Sequence, residues 1–161
     1  MIDQQKLRRI AEELGKKGRL KTGRRYWKEF PVPHLMGWLL HEGHCPYCGE
    51  NLLDSKSMQN AIGGTDHLLP RCDYPELEND PLNFVPVCAG CNGLKRHWDP
   101  NTCGPILYNR GQEDHIRDEE VQSALIERAK AQIEKRRTER VANFPEDHAN
   151  WLRALEELRG R

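Results

Sequence analysis

The sequence predicts an α+β chain, and three observations predict it. Two Cys-x-x-Cys pairs, Cys45/Cys48 and Cys88/Cys91, bracket the middle of the chain. Between them, Thr65 to Leu69 and Asn83 to Val87 read as short strands, entered after Gly63-Gly64. Outside them, apolar residues recur at helical spacing: Leu7, Ile10, Ala11 and Leu14 before, Val121, Leu125, Ala129 and Ile133 after. The expected division is a basic helical N-terminal arm (1–43), a central core (44–99) and a helical C-terminal extension (100–161).

Each Cys-x-x-Cys pair places two thiolates on one tight turn, where tetrahedral Zn²⁺ takes two of its four ligands. Two pairs complete a closed four-cysteine shell, so Cys45, Cys48, Cys88 and Cys91 are expected to hold one structural zinc. His41 and His44 lie beside the first pair and either compete as zinc ligands or, with four cysteines available, sit around the site or exposed. Cys72 and Cys103 are left over and read as reduced thiols, which fits a cytoplasmic setting.

At 161 residues, with 31% charged and 37% hydrophobic, the chain has the size of one domain with an appendage. A core this modest benefits from a metal staple. No apolar run approaches ~18 residues, so no membrane span is expected, and the polar start MIDQQKLRR does not read as a signal peptide.

The formal net charge of zero hides an uneven distribution. Residues 1–30 carry +6, residues 31–110 carry −4 and residues 111–161 carry −2. Lys16, Lys17, Arg19, Lys21, Arg24 and Arg25 concentrate in the Gly-rich GKKGRLKTGRR segment, which reads as a mobile loop suited to phosphates. Tyr26, Trp27 and Phe30 follow and either stack on bases or join the core.

Along the chain, Asp3 should cap a helix over residues 3–14 that stops at Gly15. Pro31 and Pro33 precede a buried helix from His34 to Glu42. Cys72 to Pro81 reads as a loop, and a helix should run from about Ala89 to Trp98. Asp99 to Gln112 reads as irregular. A charged helix is expected from Asp118 to Val141, with Lys135, Arg136, Arg137 and Arg140 either meeting phosphates or complementing the helix dipole. Pro145 should break it, and His148 to Arg159 should form a last helix with Trp151, Leu152, Leu155 and Leu158 facing inward.

The stretch from Cys45 to Lys95 contains CPYCGE, TDHLLPR and LNFVPVCAGCNGLK in order. It resembles the HNH (ββα-metal, His-Me finger) endonuclease family, in the branch with a Cys₄ zinc site. The resemblance covers about 50 of the 161 residues. It departs where Asn92 stands at the family's final histidine.

That resemblance implies a zinc-stapled ββα-metal nuclease core with helical flanks, intracellular and prokaryotic or phage-encoded. His67 would be the general base, because an imidazole titrates near neutrality. Asp66 and Asn92 would supply hard oxygen ligands to a catalytic Mg²⁺ or Mn²⁺. Asn83 would hold the loop or His67 in place, and Lys95, one helical turn after Asn92, would join the basic residues at DNA. The competing expectations are a zinc-dependent nucleic-acid-binding module without catalysis, and a subunit of a larger phage or defence assembly. The C-terminal helices are the expected route to a second copy or a partner protein.

Overall fold

The computed structural model describes residues 3–17, 21–22, 25–26, 30–54 and 63–159. The fold is α+β, with helices α1 (Gln4–Lys17), α2 (Val32–Leu40), α3 (Ala89–Lys95) and α4 (Glu119–Arg159). Strands β1 (Lys21–Thr22) and β2 (Arg25–Tyr26) form one antiparallel hairpin. Strands β3 (Gly63–His67) and β4 (Phe84–Cys88) form the other, with Asp66 opposite Val85 and His67 opposite Phe84.

The first helix starts as its sequence dictates: Asp3 Oδ1 accepts from the amides of Gln5 and Lys6 at 3.0 and 3.1 Å. It does not stop at Gly15 but continues to Lys17. The glycine serves packing instead, because a Cβ there would lie 3.3 Å from Leu35 of α2. Leu7 and Ala11 are buried against α2, whereas Ile10 is exposed. Part of the expected loop is the β1–β2 hairpin; Arg19, Arg24 and Trp27 lie outside the described residues. Phe30 packs, half-buried, beside Leu35 and Met36.

Helix α2 begins with Pro31 at its N-cap and Pro33 in its first turn, where the missing amide hydrogens are harmless. It presses directly on β4: a side chain at Gly37 would collide with the Phe84 carbonyl. Strand β4 is buried along its whole length. It starts one residue later than expected, because Asn83 ends a 3₁₀ turn (Pro81–Asn83) capped by Asp80. Strand β3 is shifted the other way, taking in Gly63 and Gly64 and ending at His67. Helix α3 is a turn shorter than expected, closing at Arg96 with φ 52°. One continuous core runs from Trp38 through the cysteines to Leu125, Ala129 and Ile133 of α4, crossing both expected boundaries at 43/44 and 99/100.

Helix α4 corrects two expectations. It passes through Pro145 without a break. Proline inside a helix removes one hydrogen bond and costs about 3 kcal/mol, but residues 138–159 are all solvent-exposed, so the freed backbone groups are hydrated. The second correction follows from that exposure. Trp151 (70% exposed), Leu152, Leu155 and Leu158 do not face inward. The first half of α4 is held firmly by contrast: Gln122 Nε2 donates to the Leu82 carbonyl at 2.7 Å, and Arg128 donates to the carbonyls of Pro100 and Pro105.

Candidate metal centre and adjoining groove

The four cysteines come together from two turns. Gly43 and Gly49, at φ +70° and +78°, let the chain double back so that Cys45 N–H donates to the Glu50 carbonyl at 2.9 Å. The second turn is the junction of β4 and α3, where Cys88 caps the helix by accepting from the Cys91 amide. All four Sγ atoms lie within 4.8 Å of one another, with Cys48 and Cys88 at 3.8 Å. A tetrahedral ion with ~2.3 Å bonds to sulfur requires S···S separations of ~3.8 Å, so the set fits one Zn²⁺. Cys45 and Cys91 are buried, and four thiolates leave no open coordination position, the mark of a structural site.

The crowding polarises the thiols. A hydrogen bond from Cys91 brings Cys45 down to about 5, while burial pushes Cys88 up to about 12. Donating that bond to Cys45 raises Cys91 further. Arg137 Nη2 donates to Cys91 Sγ at 3.6 Å and brings positive charge to a shell that carries excess negative charge once metallated. Cys72 and Cys103 are exposed and lie outside the cluster.

Asp66 adjoins this centre through Tyr47, the third residue of the CPYC turn. The Tyr47 hydroxyl donates to Asp66 Oδ2 at 3.0 Å, and Lys95 Nζ lies 3.0 Å from the same oxygen. Lys95 also donates to the His67 carbonyl at 2.9 Å. Lys95 is 1% exposed, so it cannot reach a phosphate as the sequence suggested; it is the internal counter-ion of Asp66. Burial raises the Asp66 carboxyl above its usual range, and Lys95 opposes the shift. Burial likewise raises Tyr47, which keeps its proton and remains a donor.

Successive residues of a strand point to opposite faces, so His67 takes its own environment. Its ring meets Phe84 edge-on at 4.8 Å and His34 at 6.0 Å. Nε2 is buried without a hydrogen-bond partner among the described residues, and burial lowers the imidazole below its ordinary value. Asn83 is fully buried: its Oδ1 accepts from the Leu69 amide at 2.7 Å, and its Nδ2 donates to the carbonyls of Leu69 and Leu77. It pins the segment leaving β3.

Asp66, His67 and Asn92 line one open groove of about 840 Å³, together with Thr65, Arg71, Arg96 and His97. Gly93 and Arg96 also border a second cleft of about 340 Å³, which Arg136 and Arg140 close from α4. Arg136 donates to the carbonyls of Leu94 and Lys95 at 2.5 and 2.9 Å, so it complements the dipole of α3 and not that of its own helix. Lys16 and Lys17 are exposed at the end of α1; of Lys21 and Arg25 only the strand backbone is described.

Sequence reasoning missed Tyr47, Arg71, Arg96 and His97, and it named Arg137 for phosphates or the helix dipole, not for its contact with Cys91. For Tyr47 the signal was its place inside the cysteine pair; for Arg137 it was the basic cluster on α4. Arg71, Arg96 and His97 carried no signal short of the fold itself.

Fold and centre together define an α+β protein with a four-cysteine cluster able to hold one metal ion. No family model, curated protein or solved structure matches the chain. Among the described residues, no helix is long and apolar enough to cross a membrane.

Proposed function

We propose that this protein is a metal-dependent endonuclease of HNH type that hydrolyses phosphodiester bonds of DNA, with His67 as general base. The observation that carries the reading is the shared groove, which Asp66, His67 and Asn92 all line at the foot of an antiparallel β-hairpin followed directly by a helix. Phosphodiester hydrolysis needs a base for water and a counter-charge for the phosphoryl oxygens. A neutral imidazole supplies the first. Burial lowers the His67 imidazole below its ordinary value, which favours the neutral ring a general base requires.

Asp66 and Asn92 offer one carboxylate and one amide oxygen, a donor set that suits Mg²⁺ or Mn²⁺ retaining several waters. A cation bound there supplies Lewis-acid stabilisation of the charge developing on the phosphoryl and leaving oxygens. Arg71 and Arg96 line the groove as phosphate contacts, and the cleft at Arg140 extends the same track. Asn83 acts through the loop it pins and touches no substrate.

A second reading is a zinc-dependent nucleic-acid-binding module without catalysis. It is favoured by the commitment of Asp66 Oδ2 to Lys95 and Tyr47. One experiment separates the two: incubation of supercoiled plasmid with the protein and Mg²⁺, Mn²⁺, Ni²⁺ or EDTA. The nuclease reading expects metal-dependent nicked or linear products, and a loss of roughly 10²-fold or more in His67→Ala. Equal cutting by wild type and His67→Ala would reject His67 as the base. Retention of plasmid without cutting in any metal would favour the binding module.

A further inference from the structure

We propose that the exposed half of α4 is a homodimerisation arm, pairing antiparallel with the same segment of a second copy. This inference is independent of the nuclease reading. From residue 138 to 159 every position is exposed, a rod of ~33 Å at 1.5 Å per residue. Along it, Val141, Phe144, His148, Trp151, Leu155 and Leu158 alternate in steps of three and four, the seam of a coiled coil. Val141, Phe144 and Trp151 are 68%, 62% and 70% exposed, and Phe144 stacks on His148 at 5.6 Å along the same stripe. The pattern ends upstream, where Glu134 and Arg137 occupy the equivalent positions as an ion pair.

The occupant is a second copy because the stripe is complementary to itself. A two-fold axis set between His148 and Trp151 brings Val141 against Leu158, Phe144 against Leu155 and His148 against Trp151. Each contact is then repeated in reverse, as an isologous interface requires. The flanking positions agree. Antiparallel pairing sets Leu152 against Pro145, which extends the apolar seam. Parallel pairing would set Leu152 against Asp147 and stack His148 on itself. At roughly 100 Å² for each partly exposed side chain, the seam covers on the order of 700 Å² per copy, close to the ~800 Å² of a standard interface.

The test uses the full-length, zinc-loaded chain. Sedimentation equilibrium should return twice the 18.7 kDa monomer mass, and Leu155→Glu should return the monomer. In a Cys72→Ser/Cys103→Ser background, Phe144→Cys with Leu155→Cys should oxidise to an inter-chain 144–155 disulfide, mapped by mass spectrometry. Leu155→Cys alone should not cross-link. A wild-type monomer at the highest soluble concentration overturns the proposal. So does efficient 155–155 cross-linking, which only a parallel pair allows.

Discussion

The cysteine cluster and the groove beside it handle charge in opposite ways. Cys45, Cys48, Cys88 and Cys91 converge until their sulfurs lie within 4.8 Å, and a metal ion is the natural counter-charge for that shell. Asp66 sits one hydrogen bond away through Tyr47, yet its charge is met inside the protein by Lys95. One centre has the geometry to hold a metal; the other meets its charge with a lysine. A closed four-cysteine site would store folding free energy in a bound ion, whereas the groove, whose buried carboxylate has its own counter-ion, is stable while empty.

The largest effect should come from breaking the closed centre. Structural zinc contributes apparent binding free energies of about 10 kcal/mol or more to folding. Chelation, or Cys88→Ser, should unfold the core that runs through Cys45, Cys88 and Cys91. Elemental analysis should find one zinc per chain, unchanged in Cys72→Ser and Cys103→Ser. Folded protein that contains no zinc would refute the assignment.

Next comes the internal counter-ion. Lys95→Met leaves the Asp66 carboxyl buried without its cation, and breaking such a pair from one side costs about 3–5 kcal/mol. Urea denaturation should show that loss while zinc content stays at wild type. The double variant Asp66→Asn/Lys95→Met should recover much of the stability, since it removes both charges. No recovery would mean that Lys95 contributes mainly through the His67 carbonyl.

This pair also marks the limit of what the sequence revealed. The cysteine ligands were legible because Cys-x-x-Cys spacing is local and its chemistry is narrow. Asp66, His67 and Asn92 were legible as candidates, and the order of strand, strand and helix placed them near one another. The role of Lys95 was not. A lysine one turn after Asn92 looks like a phosphate contact, and only the packing of α3 on β3 turns it inward. Pro145 misled for a related reason: its rule assumes a helix that needs every hydrogen bond. Where the helix stands in water, hydration substitutes, and the apolar stripe that seemed to face inward faces out.

A smaller effect concerns the approach to the first cysteine pair. His41 is brought from 6.5 down to about 4 by burial. The unfolded chain therefore takes up a proton between pH 6.5 and 4 that the folded chain refuses. The stability tied to neutral His41 is full above pH 6.5 and is lost as pH falls through that window, by up to about 3 kcal/mol. Urea midpoints measured against pH should fall more steeply for wild type than for His41→Asn. Thiolate protonation acts on both proteins alike, so the difference isolates His41; parallel curves would show that its burial is relieved in solution.

The smallest effect tests whether the closed centre, too, borrows charge from the protein. Arg137 reaches Cys91 from α4 while also pairing with Glu134 at 2.6 Å. Its guanidinium is partly exposed, so solvent screens much of its attraction for the thiolate shell. Arg137→Gln keeps a donor of shorter reach and removes the charge, leaving the four sulfurs in place. Outer partners of metal ligands typically contribute 10- to 100-fold in affinity, and screening puts this one at the low end, about 10-fold. Competition for zinc against a chromophoric chelator measures the change directly. Raised salt should weaken wild type toward the variant, because the interaction is electrostatic and reaches solvent. An affinity unchanged in Arg137→Gln at low salt would make the cysteine cluster self-sufficient, and its contrast with the Lys95-dependent groove complete.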